Sequence, residues 1–238
     1  VVGHFRGCTA SVRVAIVGKY TGLHDSYISI FEALNHGGIA SGVRVELAKF
    51  EGDDLEENRD LDQALAGCDG VLVPGGFGAR GIEGMIRAAR WARERKVPYF
   101  GICLGLQIMV IEYARTVLGL ADANSTEFAQ ETKNPVVSLL EEQVDVKNYG
   151  GTMRLGRGDS KLVPNTRIAA AYGRRVISER HRHRYEVSNR YRRQLEDAGL
   201  VVSGLTPDES LVESVEWPDH PWGVGVQFHP EFTSRPTA

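Results

Sequence analysis

The chain has 238 residues, 42% of them hydrophobic and 25% charged, a composition that excludes disordered, collagen-like and mini-protein classes and allows a conventional core without disulfide or metal staples. With 28 basic against 31 acidic residues the net charge is -3, so no global field draws the protein to nucleic acid or to an anionic membrane. The most apolar stretch, 102–111, already contains Gln107 and stops at Glu112, short of the roughly 20 residues of a membrane span, and Cys8, Cys68 and Cys103 lack C-x-x-C spacing, which points to a reducing, cytoplasmic setting.

Residues 1–11 show no clear periodicity and no secretory pattern; they are expected to be a cut remnant or an interdomain linker, with a single domain over 12–238. Residues 12–17 are short, β-branched and stopped by Gly18, a strand signature. Ile28, Phe31 and Leu34 then recur at helical spacing over 26–35, with Gly37-Gly38 as the expected stop. Strands at 44–50, 70–73 and 97–102 alternate with helices at 61–66, 82–95 and 104–118. That alternation implies a doubly wound, mostly parallel sheet, because parallel crossovers are usually helical. After about residue 135 short strand-like pieces follow at 135–140, 151–155, 201–204, 211–217 and 223–228, interrupted by one helix at 190–198. They read as an antiparallel extension of the same sheet, giving an α/β, doubly wound fold.

Chemistry concentrates at three points. Gly101-Ile102-Cys103-Leu104-Gly105 lies where a buried strand turns into a helix, the cysteine version of the G-x-S-x-G nucleophile elbow. Helix amides behind the sulfur favour negative charge there, and strand carboxyl ends are where open α/β sheets build sites. The bland alternative for Cys103 is a small core residue. His229-Pro230-Glu231 ends the last strand; residues i and i+2 of extended chain share a side, so Glu231 can orient the His229 ring. Pro74-Gly75-Gly76-Phe77-Gly78 follows a central strand, and its bare backbone could join the Leu104 amide in an oxyanion hole.

Other motifs are weaker. Gly76, Gly78 and Gly81 satisfy G-x-G-x-x-G, but the next strand ends in Cys103 rather than an acidic ribose ligand, which argues against a dinucleotide. Gly18-Lys19-Tyr20 lacks the upstream glycine and the hydroxyl of a P-loop. From Arg174 to Arg193 there are eight arginines with interleaved histidines and tyrosines; this is either an RNA-binding patch or a solvated face with ion pairs. His181-x-His183 has no supporting cluster of ligand spacing, so no metal site is expected.

Together, the elbow, the Pro-Gly-Gly turn and the terminal His-Pro-Glu resemble the class I, triad-type glutamine amidotransferase family. Gly18-Lys19-Tyr20, Leu72 to Gly78, Asn124 to Phe128, Gly150 to Gly156 and Glu179 to Val187 resemble, more specifically, the glutaminase domains of CTP synthases. The resemblance implies a glutaminase in which Cys103 attacks the side-chain amide of L-glutamine, His229 shuttles the proton and Glu231 orients His229. It further implies an oxyanion hole from Gly75, Gly76 and Leu104, and glutamine contacts from Phe77, Gln107, Glu127, Arg184 and Tyr185. An N-terminal amidoligase domain outside this sequence would use ATP and magnesium to aminate UTP, with GTP as allosteric activator. The domain itself is expected to need no cofactor and no metal, and the full-length enzyme to be a homotetramer without nucleic-acid or membrane partners. Two competing readings remain: another Cys-His hydrolase on this fold, such as a peptidase or γ-glutamyl hydrolase, and a non-catalytic module whose triad never assembles alone. The short 140–151 connection leaves room for a different lid.

Overall fold

The computed structural model describes residues 10–58, 60–139 and 153–236. In chain order β1 (Ser11–Gly18), α1 (Ile28–Ser41), β2 (Arg44–Glu51), α2 (Gly52–Glu57), α3 (Leu61–Ala64), β3 (Gly70–Val73), α4 (Ile82–Arg95), β4 (Tyr99–Ile102) and α5 (Leu104–Thr116) build the wound half. The second half contains β5 (Asn124–Ser125), β6 (Pro135–Ser138), β7 (Arg154–Leu162), α6 (Arg167–Tyr172), β8 (Val176–His183) and β9 (Glu186–Val187). It ends with α7 (Asn189–Asp197), β10 (Val201–Leu205), β11 (Val212–Glu216) and β12 (Gly223–Val226).

One sheet has the order β2-β1-β3-β4-β12-β11-β10-β7-β8. Its first five strands run parallel, and β11, β10, β7 and β8 extend it antiparallel. The parallel part has the doubly wound order in which sites lie at the strands' carboxyl ends. Strand β3 and the inner positions of β1, β4 and β12 are buried and apolar, as expected of strands covered on both faces. On one face α4 and α5 enclose a core with Met85, Leu106, Ile108, Met109 and Trp217. On the other, α1 and α6 pack Ile30, Phe31 and Ile168 over Ile16, Leu72, Val224 and Phe228.

Several expectations needed adjusting. The first helix does not stop at Gly37-Gly38 but continues to Ser41, and Gly42, at φ 67°, caps it. Gly38 is tolerated because α1 presses on β2: a Cβ there would lie 2.8 Å from the Val43 carbonyl oxygen. The last strand in sequence, β12, pairs antiparallel with β11 but also inserts parallel to β4, in the middle of the sheet, and β6 belongs to a separate three-stranded sheet, β5-β6-β9. Helices α2 and α6 were not anticipated. Residues 176–183, read as an arginine run, are strand β8, paired along its whole length with β7. The expected pieces at 140 and 151–152, and the 140–151 connection, lie outside the described residues. Among the described residues no helix is long and apolar enough to cross a membrane.

Candidate active site

The β4–α5 junction is a strained elbow. Cys103 adopts φ 54° and ψ -99°, a region non-glycine residues enter only when the surroundings force it, at a cost of roughly 1–3 kcal/mol. The forcing is visible on both sides. A Cβ on Gly101 would lie 2.4 Å from Gly105 backbone atoms, and one on Gly105 would lie 2.1 Å from the Val73 carbonyl oxygen. Tyr99, fully buried, gives its hydroxyl to the Gly105 carbonyl at 2.8 Å, and the Cys103 amide is held by the Val226 carbonyl at 2.7 Å. The elbow is thus locked between β3 and β12, with the Cys103 side chain at the first turn of α5.

Because β12 pairs with β4 in register, Val226 opposite Ile102, the chain leaving β12 carries His229 to the elbow. The His229 amide is anchored on the Arg180 carbonyl of β8 at 2.8 Å, and its ring stacks on Phe232, with centroids 5.2 Å apart. Its Nδ1 pairs with Glu231 Oε1 at 2.8 Å. A Cβ on Gly75 would meet both partners, His229 Cε1 at 2.8 Å and Cys103 Cβ at 3.6 Å, so the Pro-Gly-Gly turn lies against the pair. Burial disfavours the imidazolium, but the Cys103 sulfur and the Glu231 carboxylate outweigh it and lift the His229 pKa to about 10. Among the described residues the buried Nε2 has no hydrogen-bond partner, so the Cys103 effect is one of proximity and charge.

Gly76 lies beside Leu104, 3.2 Å from an added Cβ to Leu104 Cδ2, and Gly75 and Gly76 line one cavity with Cys103. A cavity of about 340 Å³ opens over Cys103, Gly75, Gly76 and His229. A second, of about 410 Å³, is lined by Phe77, Glu127, Met153, Arg182, Arg184 and Tyr185. Phe77 and Arg182 border both, so the two cavities adjoin. Glu127 accepts the Gly78 amide at 2.7 Å; burial raises its pKa, while that hydrogen bond, Lys19 and Arg184 oppose the rise. Gln107 is 3% exposed and donates to the Tyr185 carbonyl at 3.1 Å, tying α5 to the Arg184-Tyr185 turn.

Two groups escaped the sequence reading. Gln227, fully buried, approaches Cys103 Sγ with Nε2 at 3.8 Å; its signal was the i, i+2 spacing to His229. Lys19, read as a failed P-loop and as part of the Gly18-Lys19-Tyr20 motif but given no role, is buried against the 74–78 loop. The arginine run divides by strand alternation. Arg180 and Arg182 point out, while His181 and His183 point in and pair with Glu213 at 2.6 Å and Glu186 at 2.8 Å. Arg154 bridges both carboxylates, at 3.1 Å to Glu186 and 2.7 Å to Glu213. Among the described residues no group of histidine, cysteine and carboxylate side chains is arranged to hold a metal.

The chain is similar to known proteins in sequence and fold. The family model described as glutamine amidotransferase class-I matches residues 23–238. A CTP synthase of Clostridium acetobutylicum is 52% identical over 236 residues, 99% of this chain and 44% of that protein. One of Thermomicrobium roseum is 55% identical over 225 residues, 94% of this chain and 40% of that protein. The chain therefore spans less than half the length of these relatives. A solved structure, the glutaminase domain of Trypanosoma brucei CTPS with bound acivicin, superposes with a TM-score of 0.87 at 42% identity, covering 95% of this chain and 88% of that one. A glutamine amidotransferase of Thermotoga maritima, at 13% identity and a TM-score of 0.54 over 92% of this chain and 76% of that one, shares the fold.

Proposed function

The chain belongs to the class-I glutamine amidotransferase family, on the branch of the CTP synthase glutaminase domains, and from that premise we propose that it hydrolyses L-glutamine to glutamate and ammonia through Cys103, His229 and Glu231. The observation that carries the proposal is the convergence of Cys103, on a strained elbow, with a His229–Glu231 pair delivered by a neighbouring parallel strand.

In this mechanism the Cys103 thiolate attacks the δ-carbonyl carbon of glutamine. The carbonyl oxygen becomes an oxyanion that takes backbone N–H donors from Gly75, Gly76 and Leu104; one such donor is worth roughly 3 kcal/mol. Protonated His229 gives its proton to the departing nitrogen, the C–N bond breaks, ammonia leaves and a glutamyl thioester remains. Water, deprotonated by His229, then attacks the thioester, and glutamate departs with return of the thiolate. Glu231 holds the ring by Nδ1 and stabilises the imidazolium. A free amino acid needs a carboxylate for its ammonium and donors for its carboxylate; Glu127 and Arg184 line one cavity and meet both needs, with Phe77 and Tyr185 completing its wall. Gln107 serves by fixing the Tyr185 carbonyl.

In a longer protein of the relatives' size, the ammonia would pass to a synthase domain that aminates UTP to CTP with ATP. The direct test of the hydrolytic reading is ammonia release by wild type and Cys103→Ala, with folding checked by circular dichroism. Wild type is expected to turn over glutamine and the folded variant to be inactive; a residual rate above about a tenth of wild type rejects Cys103 as nucleophile.

A further inference from the structure

Lys19 follows β1 directly and is 1% exposed, an unusual place for an ammonium group. Its Nζ donates to the Phe77 carbonyl at 3.1 Å and to the Gly78 carbonyl, and lies 5.4 Å from the Phe128 ring centroid. Among the described residues no carboxylate is within ion-pair distance of it, so its principal partners are two consecutive carbonyls of the 74–78 loop. In a trans peptide unit the C=O and N–H point in opposite directions. The Phe77 carbonyl reaches Lys19 on one side, and the Gly78 N–H of the same unit reaches Glu127 Oε1 at 2.7 Å on the other. That one peptide unit is gripped at opposite edges, by the buried ammonium of Lys19 and by the half-buried carboxylate of Glu127.

The grip is close to the reacting groups. The stem of Lys19 also supports Gly76, with Cδ 3.5 Å from where a Cβ would be, and Gly75 beyond it abuts Cys103 and His229. Gly78 has φ 81°, so the loop's course depends on a glycine conformation that no side chain of its own stabilises.

Resting on the glutaminase reading above, we propose that Lys19 is a positioning residue of the reaction: with Glu127 it clamps the Phe77–Gly78 peptide and so holds the Gly75-Gly76 backbone against Cys103. An oxyanion hole contributes through donor placement, so loosening its loop should act on turnover rather than on glutamine binding. The charge state of Lys19 offers a second handle. Burial pulls its pKa to about 8, with Glu127 and Asp53 opposing and Arg80 assisting; Tyr27, packed on the same segment, meets the Lys19 amide through its hydroxyl. Above pH 8 the carbonyls would lose their charge-assisted donor, well before His229 titrates.

The test is steady-state glutaminase kinetics of this chain as wild type, Lys19→Met and Lys19→Arg between pH 6.5 and 9.5. Rates are expressed per Cys103 that 6-diazo-5-oxo-norleucine can label to completion. For Lys19→Met the kcat per labelled site should fall roughly 10- to 100-fold with KM changed less than about threefold. Wild-type kcat should decline above pH 8, and the arginine variant, charged throughout, should carry that limb to higher pH. A merely structural lysine would reduce the number of labelled sites and leave kcat per site unchanged. A kcat per site within about twofold of wild type, or, should Lys19→Met not fold, a wild-type profile flat through pH 9, overturns the proposal and leaves the glutaminase reading standing. A folded wild type that neither labels nor releases ammonia fails that reading, and this proposal with it.

Discussion

At the scale of single residues, His229 is where position and charge meet. Its pKa of about 10 keeps the ring protonated through the neutral range beside a sulfur that must be anionic to attack. A folded-state pKa raised above the ordinary 6.5 contributes stability that is complete below pH 6.5 and is lost as pH rises through 10; His229→Ala should therefore differ from wild type in Tm more at pH 7 than at pH 10.5, and parallel melting curves would contradict the shift. In turnover, Glu231→Gln should lose less than His229→Ala, because Glu231 meets the ring at Nδ1 and transfers no proton. Equal losses would contradict that division of roles. Cys103, His229 and Glu231 were legible from flanking glycines and i, i+2 spacing. The contacts of Lys19 and Gln227 were not, since a buried amine and a buried amide look like surface residues until the loop folded over them is known.

At the scale of elements, backbone proximity decides what the glycines do. A Cβ on Gly37 meets nothing within 4 Å, whereas on Gly38 it meets the Val43 carbonyl oxygen at 2.8 Å and Val45 Cγ2 at 2.9 Å. Gly37→Ala should thus stabilise by up to about 1 kcal/mol through helix propensity, and Gly38→Ala should destabilise by about 1–3 kcal/mol through overpacking. Urea midpoints at constant m-value read both; a shared sign would contradict the packing of α1 on β2. The pair also explains why the helix end was misplaced: sequence presents two glycines as a stop, while the fold uses one for approach and places the cap at Gly42. Strand β8 was missed for a related reason. Its inward residues are Ile177, Glu179, His181 and His183, the last three partnered by Tyr172, Glu213 and Glu186, so its period of two is carried mostly by buried polar groups.

At the scale of the whole molecule, the parallel half was readable because β3, β4 and the second half of β1 are short apolar runs and β2 alternates with the period of a half-exposed edge strand. The insertion of β12 beside β4 was not, because pairing between distant segments leaves no local mark. Yet that insertion brings His229 to Cys103. The same long-range packing buries titratable groups, which sets a pH limit. Burial depresses the pKa of His183 and of His220; the His220 ring already accepts the Trp222 amide at 3.3 Å and donates to the Ala92 carbonyl at 3.2 Å. For such groups the unfolded chain binds the extra proton, so stability present above pH 6.5 is lost on acidification. Below pH 4.5 Glu213 adds to the loss, since its pKa is lowered by His181 and Arg154 against the effect of burial. Tm should fall steadily from pH 7 to pH 4; a flat profile would contradict these burials.

That the folded chain assembles a glutamine-specific nucleophile at Cys103 is tested most directly by intact mass and peptide mapping after incubation with 6-diazo-5-oxo-norleucine, with and without excess L-glutamine. A single adduct is expected, on Cys103, suppressed by glutamine. A folded protein that takes no adduct, or takes one on Cys103 that glutamine does not protect, would contradict the assembled site.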